Sequence, residues 1–291
     1  MKDSTFIDIS KCPICSSDRR HKIGLRGDRP IIDLPKGKSL SPSAITISVW
    51  DCKECHHIYV DPCPSEDKLF ELYGEQADVY FEHTHGADLS GFLDLLNSNT
   101  DAAGSLLDIG CGNGRILEAS IGWNSVGVEP VASFAANASE FGKVYASLDD
   151  VNESFDAISI MAVLEHVVDP FALLKRAFDL AKPGALLIIE VPNGHRIDSW
   201  ILDHLLKISG RPWTVRTTPL QSPFHLSEFS RRSLTRAVRN AGWEVERAWT
   251  IKGKINYPIP ELFNAIFNLI QKITAPFGWG LNITMLARKP I

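Results

Sequence analysis

The chain has 291 residues, 44% of them hydrophobic and 22% charged, with 30 Lys and Arg against 35 Asp and Glu. That length holds one large domain or two modest ones, and that composition excludes wholesale disorder. A net charge of −5 argues against a protein that lives by binding phosphate backbones, so no nucleic-acid partner is expected. The longest apolar run, Ala185 to Ile189, is far short of a membrane span. The opening MKDSTFIDIS lacks the basic-then-apolar pattern of a signal peptide, and the expectation is a cytoplasmic protein.

Residues 1 to 63 carry two cysteine pairs, Cys12-Pro-Ile-Cys15 and Cys52-Lys-Glu-Cys55, 36 residues apart. In a reducing compartment such pairs read as one structural Zn²⁺ site, because a two-residue spacing lets both sulfurs of a knuckle face one ion. A redox dithiol or two disulfides is the alternative. His56 and His57 can replace a thiolate, but with four cysteines present they read as bystanders. Residues 24 to 43, rich in Gly, Pro and Ser, read as an inserted loop.

Ser65-Glu66-Asp67 then caps an amphipathic helix through Tyr73, and Asp88 to Asn97 reads as a second helix. From Ser105 onward, strands and helices alternate. Strands are predicted at Leu106–Ile109, Val126–Val128, Lys143–Ala146, Phe155–Ile160 and Ala185–Val191, with helices at Arg115–Ser120, Val131–Phe141 and Pro170–Ala181. That alternation predicts a parallel sheet covered on both faces. An insertion with a helix at Ile197–Ile208 follows. A helix at Glu228–Asn240 ends on Ala241-Gly242, and strands Trp243–Ile251 and Asn282–Arg288 close the chain. Between them, 260–274 carries apolar residues at helical spacing with only Glu261 and Lys272 charged. Packing in the core or in a homodimer is the expectation there, with a lipid-linked acceptor as the lesser reading.

The strongest chemical signal is Asp108-Ile109-Gly110-Cys111-Gly112-Asn113-Gly114, at a strand-to-helix turn. Alternate glycines let the backbone turn sharply and approach a ligand closely. A P-loop needs Gly-Lys-Ser/Thr, and this chain has Asn113-Gly114-Arg115; a G-x-G-x-x-G fingerprint would need glycine at Arg115. What remains is G-x-G-x-G with an acid two residues before it. Glu129 ends the next strand, 21 residues after Asp108, where a carboxylate can accept both ribose hydroxyls of an adenosine.

LLDIGCGNG, VGVEP, FDAISIMAVLEHVVDP and LAKPGALLIIEVPN, in that order, resemble the motifs of class I S-adenosyl-L-methionine-dependent methyltransferases over residues 65–288. CPIC and CKEC followed by HHIYVDPCPSEDKLFELY resemble the zinc-binding head of a subset of these enzymes, often bacterial, that modify sugars or other small metabolites. The resemblance implies an α/β fold with a Rossmann-like seven-stranded sheet whose last strand is antiparallel, plus a small zinc-ribbon-like N-terminal domain. It divides the chain into a head at 1–63, a helical linker and cofactor lid at 64–100, and a methyltransferase domain at 101–291 with an acceptor-pocket insertion at 195–226. It implies that Asp108, Gly110, Cys111, Gly112 and Gly114 line the methionine portion of the cofactor, that Glu129 holds the ribose and Pro130 flanks the adenine. Ser147 and Leu148 fall at the adenine edge, with Ser147 where an aspartate is common. Met161 and Ala162 contact cofactor through backbone.

Methyl transfer needs an aligned nucleophile and often a base. His166, in Leu164-Glu165-His166 after the fourth strand, is one candidate; packing at the cofactor mouth is its other reading. His225, in Pro219-Leu220-Gln221-Ser222-Pro223-Phe224-His225, is the second, on a stiff loop that can roof the acceptor pocket; its other reading is a helix-entry residue. Some relatives bind a divalent metal through E-x-x-E-H, but Ala162 stands at the first position, so a catalytic magnesium is not expected. Tyr73 and Tyr80 can close over the cofactor. The acceptor is expected to be a small molecule, with an RNA or a non-catalytic scaffold role as rivals. The one basic cluster is Lys11, Arg19, Arg20, Lys22, Arg26, Arg29, Lys36 and Lys38.

Overall fold

The computed structural model describes residues 5–27, 45–73, 89–100, 104–253 and 260–291. The chain runs β1 (Phe6–Ile7), β2 (Arg20–Gly27), β3 (Thr46–Cys52), β4 (Ile58–Asp61), β5 (Cys63–Pro64), α1 (66–73) and α2 (Ser90–Ser98). It continues through β6 (Ser105–Ile109), α3 (Arg115–Ala119), β7 (Asn124–Val128), α4 (Ala132–Ala138), β8 (Lys143–Tyr145), β9 (Phe155–Met161), α5 (Pro170–Leu180) and β10 (Ala181–Pro192). It ends with α6 (Ile197–Ile208), β11 (Ser227–Glu228), α7 (Arg231–Asn240), β12 (Glu244–Ile251), α8 (Glu261–Thr274) and β13 (Asn282–Arg288).

Seven strands form one sheet in the order β12-β13-β10-β9-β6-β7-β8. Strands β6 to β10 are parallel, and β13 runs antiparallel between β10 and β12. The chain leaves β6 for β7 and β8, then crosses back to β9 on the other side of β6. Such a reversal opens a crevice at the carboxyl ends of the strands, where open α/β sheets bind ligands. Leu107, Ile158, Leu187, Ile189 and Met285 are all buried in the core on the sheet. Helix α5 starts where Asp169 Oδ1 accepts from Ala172 N–H at 2.9 Å and Pro170 fixes the first turn; it buries Leu174, Ala177 and Leu180.

The knuckle segment is more regular than a loop. Antiparallel β2, β3 and β4 form a sheet that takes in β2 as far as Gly27, inside the stretch expected to be a loop; residues 28–43 of that stretch lie outside the described residues. The fourth strand of this sheet is β11, from far along the chain. Glu228 is therefore a strand residue rather than the start of a helix. Helix α7 begins at Arg231, because Ser230 and Ser233 form a capping box. The same Ser230 hydroxyl donates to the Cys55 carbonyl at 3.0 Å, and Cys12, Cys52, Cys55 and Tyr59 share a core with Phe229 and the main sheet. Head and sheet are thus packed together through residues 227–230.

Helix α8 departs from a core packing. It buries Asn264, Phe267 and Gln271 and exposes Leu262, Phe263, Ile266, Leu269 and Ile273.

Candidate active site

The turn after β6 holds three left-handed glycines, Gly110 at φ +74°, Gly112 at +52° and Gly114 at +79°. Two are demanded by packing. A Cβ on Gly110 would come within 2.4 Å of Val163 Cγ2, and one on Gly114 within 2.7 Å of the Ala138 backbone. At Gly112 a Cβ would meet no described residue within 4 Å. Gly112 faces a cavity of about 930 Å³, walled by Asp108, Gly110, Cys111, Asn113, Met161 and Ala162, by Phe92 and Leu95 of α2, and by Glu190, Arg247 and Trp249.

Asp108 and Glu129 set the electrostatics. Asp108 is 2% exposed, and Ser159 donates to its Oδ1 at 2.7 Å. Burial pushes its carboxyl up to about 7 against that bond, with nearby Glu129 adding to the rise. Glu129 is also raised by burial, while its two oxygens accept from Val131 N–H at 2.9 Å and Gly112 N–H at 3.0 Å. Glu129 itself does not line the cavity, but it grips the glycine that does. Pro130, Ser147 and Leu148 are off the cavity wall as well. Ser147 Oγ accepts from Asp149 N–H at 3.2 Å, capping a short 3₁₀ turn, and Leu148 packs on the core. Gly114 lies behind the wall, at the start of α3.

S-adenosyl-L-methionine fits this donor set. Its cationic methionine end suits the buried Asp108 carboxyl on the cavity wall, Gly112 leaves open space, and among the described residues Asn113 Oδ1 is buried without a partner.

His166 and His225 come together, away from the cavity lining. Leu226 N–H donates to the Glu165 carbonyl at 2.8 Å, which returns the 219–226 loop to the end of β9. The two imidazoles meet edge to face with centroids 4.7 Å apart. Glu165 Oε1 lies 3.7 Å from His166 Nε2 and 3.9 Å from His225 Nε2, and among the described residues neither Glu165 oxygen has a hydrogen-bond partner. Burial lowers His166 to about 4 and His225 well below its ordinary value, and lifts Glu165 to about 8, with Glu190 adding to that rise. Tyr73 shares a 2.8 Å hydrogen bond with His166 Nδ1; Tyr80 lies outside the described residues. Burial thus favours neutral imidazoles and a protonated carboxyl in this cluster. Its three ligand atoms lie within 4.8 Å of one another, a nitrogen-rich set better suited to a transition ion than to magnesium.

The four knuckle cysteines also converge. Cys12 and Cys55 sulfurs are 3.6 Å apart, Cys15 and Cys52 3.5 Å, and all four lie within 4.8 Å. A tetrahedral zinc with Zn–S near 2.3 Å spaces its sulfurs by about 3.8 Å, so the residues fit that ion. The hydrogen bond from Cys55 brings Cys12 down to about 6, and the same bond pushes Cys55 up. His57 is outside the cluster, fully buried beside Phe229, and its burial takes it down to about 3.

Sequence reasoning missed the far wall of the cavity. Glu190 sits at the carboxyl end of β10, a position the crevice rule marks. Arg247, stacked 4.6 Å over Trp249, reaches the cavity from β12 by two-residue alternation, a signal that names a face but not what it faces.

Comparison with known proteins follows this geometry. A ubiquinone biosynthesis O-methyltransferase of Cereibacter sphaeroides is 34% identical over 127 residues, 39% of this chain and 49% of that protein. The chain thus spans about half the length of that curated relative. Among solved structures, a Burkholderia thailandensis 1,6-didemethyltoxoflavin-N1-methyltransferase aligns over 87% of this chain and 99% of its own, at 16% identity and a TM-score of 0.55. The [4+2]-cyclase SpnF aligns over 79% and 97%, also at 16% identity, with a TM-score of 0.54. These likenesses show the Rossmann-like fold. A family model described as a methyltransferase domain matches residues 80–248, more than half of the sequence, and the chain belongs to that methyltransferase family.

Proposed function

We propose that this protein transfers a methyl group from S-adenosyl-L-methionine to an oxygen of a small organic acceptor. The observation that carries the reading is the Glu129 carboxylate bonded to Gly112 N–H, an acid fixed on the glycine turn that faces the cavity. When bound, the cofactor supplies a methyl on a sulfonium, an electrophile that needs alignment more than activation. Asp108, Gly110, Cys111 and Gly112 hold its methionine end, Glu129 its ribose, and Pro130, Ser147 and Leu148 the adenine side. Met161 and Ala162 form the floor. His225, with His166 beside it, takes the acceptor proton at a ring nitrogen, because both imidazoles are neutral at pH 7.

The acceptor class rests on the named O-methyltransferase relatives and on a cavity of small-ligand size. A sugar or sugar-linked metabolite belongs to that class. An RNA acceptor is disfavoured by the basic cluster of the head: Arg20 is paired with Asp61 at 2.8 Å, Arg19 with Glu54, and Arg26 is 5% exposed. Arg29, Lys36 and Lys38 lie outside the described residues. A scaffold role leaves the histidine pair without a task. In the same reading, Cys12, Cys15, Cys52 and Cys55 hold a structural Zn²⁺, 1–63 is the head, 64–100 the linker and lid, and 195–226 the acceptor-side insertion of the domain at 101–291.

The test offers labelled cofactor with a panel of phenols, catechols and sugars and, separately, RNA. The expected result is a methyl ether on a small acceptor, with one S-adenosylhomocysteine released per methyl. Label appearing only in RNA would overturn the acceptor class.

A further inference from the structure

Helix α8 is built inside out. Its polar Asn264 and Gln271 face the protein, where Gln271 Oε1 accepts from Gly253 N–H at 3.0 Å. Leu262, Ile266, Leu269 and Ile273 point outward, 69%, 44%, 60% and 61% exposed. Phe263 and Phe277 extend this surface, at 53% and 75%. Helix α6 packs beside α8 and exposes Trp200 and Ile208. Exposed apolar side chains that line one helix face in this way mark an interaction site, whereas scattered single ones do not.

The outward residues are spaced four, three and four apart, which is the a/d seam of a helix pair. That spacing reads the same in both directions. An antiparallel copy, related by a two-fold axis near residues 267 and 268, sets Leu262 against Ile273 and Ile266 against Leu269. The helix carries two charges, Glu261 and Lys272. In that register Glu261 lies opposite Thr274 of the second copy, about 3 Å along the axis from its Lys272, so opposite charges meet at each end. A parallel pairing sets like against like. A membrane-surface helix turns a Lys- and Arg-rich polar face to solvent, whereas here the polar face is inside and the helix has one cation.

We infer that α8 pairs antiparallel with α8 of a second copy, making the protein a two-fold homodimer. Sedimentation of the whole protein at micromolar concentration tests it. The wild type sediments at twice the 32.2 kDa chain mass. Ile266→Glu with Leu269→Glu weakens association more than tenfold. Lys272→Glu weakens it less, and adding Glu261→Lys restores it, a readout that stands even where the double-glutamate variant folds poorly. A wild type that stays monomeric, including one that instead floats with phosphatidylglycerol vesicles, overturns the inference. So does a dimer that survives both glutamates, or one indifferent to Lys272→Glu.

Discussion

The buried acids of the glycine turn and the one beyond β9 are held in different ways. In the glycine turn, Asp108 takes a hydroxyl bond from Ser159, and Glu129 takes two backbone bonds. Beyond β9, Glu165 lies fully buried between two imidazoles, with no donor on either oxygen among the described residues. The first arrangement fixes carboxylates in place beside an open cavity, where a cation can discharge the cost of their burial. The second favours a carboxyl that keeps its proton and imidazoles that stay neutral. On the proposed function, the first region holds a charged ligand and the second handles a proton.

The largest effect that separates the regions is on rate. His225→Gln should lower turnover by ~10²–10⁴-fold while cofactor affinity stays within about twofold, since it acts on the acceptor. Equal turnover would make His225 structural. Single-turnover rates and calorimetry on one preparation read both quantities. Glu129→Ala should do the converse, weakening cofactor binding by about ten- to a hundredfold through lost charged hydrogen bonds.

Zinc removal reaches the Glu165 region through the Ser230–Cys55 bond, the pairing of β11 with β4 and the bonds of Leu226 and Ser227 N–H to the Glu165 carbonyl. Cys55→Ser, or chelator treatment, should cut metal content from one zinc per chain and lower the melting temperature. A wild type purified without metal, or with these cysteines disulfide-bonded, would contradict the zinc assignment.

The smallest effect is on pH dependence. Folded His166 near 4 and His57 near 3 lie below the ordinary 6.5 of the unfolded chain. These two histidines therefore bind more protons in the unfolded state, and their contribution to stability is lost as pH falls from about 6.5 toward 4. Asp108 near 7 and Glu165 near 8 lie above their unfolded values of 3.8 and 4.5. There the folded state holds protons that the unfolded state releases, so stability also declines as pH rises toward 8. Calorimetric melting from pH 4 to 8.5 reads both arms. Glu165→Gln should flatten the alkaline arm, and an unchanged arm would show that Glu165 is ionised in the fold.

Much of this was legible from residues alone, because glycine punctuation and apolar runs act locally. The bounds of α6 and β13 match the sequence reading, and the four cysteines that converge are those whose spacing predicted it. What escaped depends on distant partners. Ser227 and Glu228 look like a helix start until β4 supplies their ladder bonds. Leu262 and Ile266 read as core or as homodimer packing, because apolar spacing reveals a face without revealing which way it points. Glu165 reads as part of a motif, and only the return of the 219–226 loop shows it lying between two histidines.

The central claim is that the glycine turn and Glu129 bind S-adenosyl-L-methionine. Titration calorimetry with S-adenosylhomocysteine tests it most directly. The account predicts saturable one-to-one binding by the wild type, about ten- to a hundredfold weaker in Glu129→Ala and unchanged in His225→Gln. A folded wild type that gives no binding heat at any temperature, and no protection of the melting transition by ligand, would contradict it.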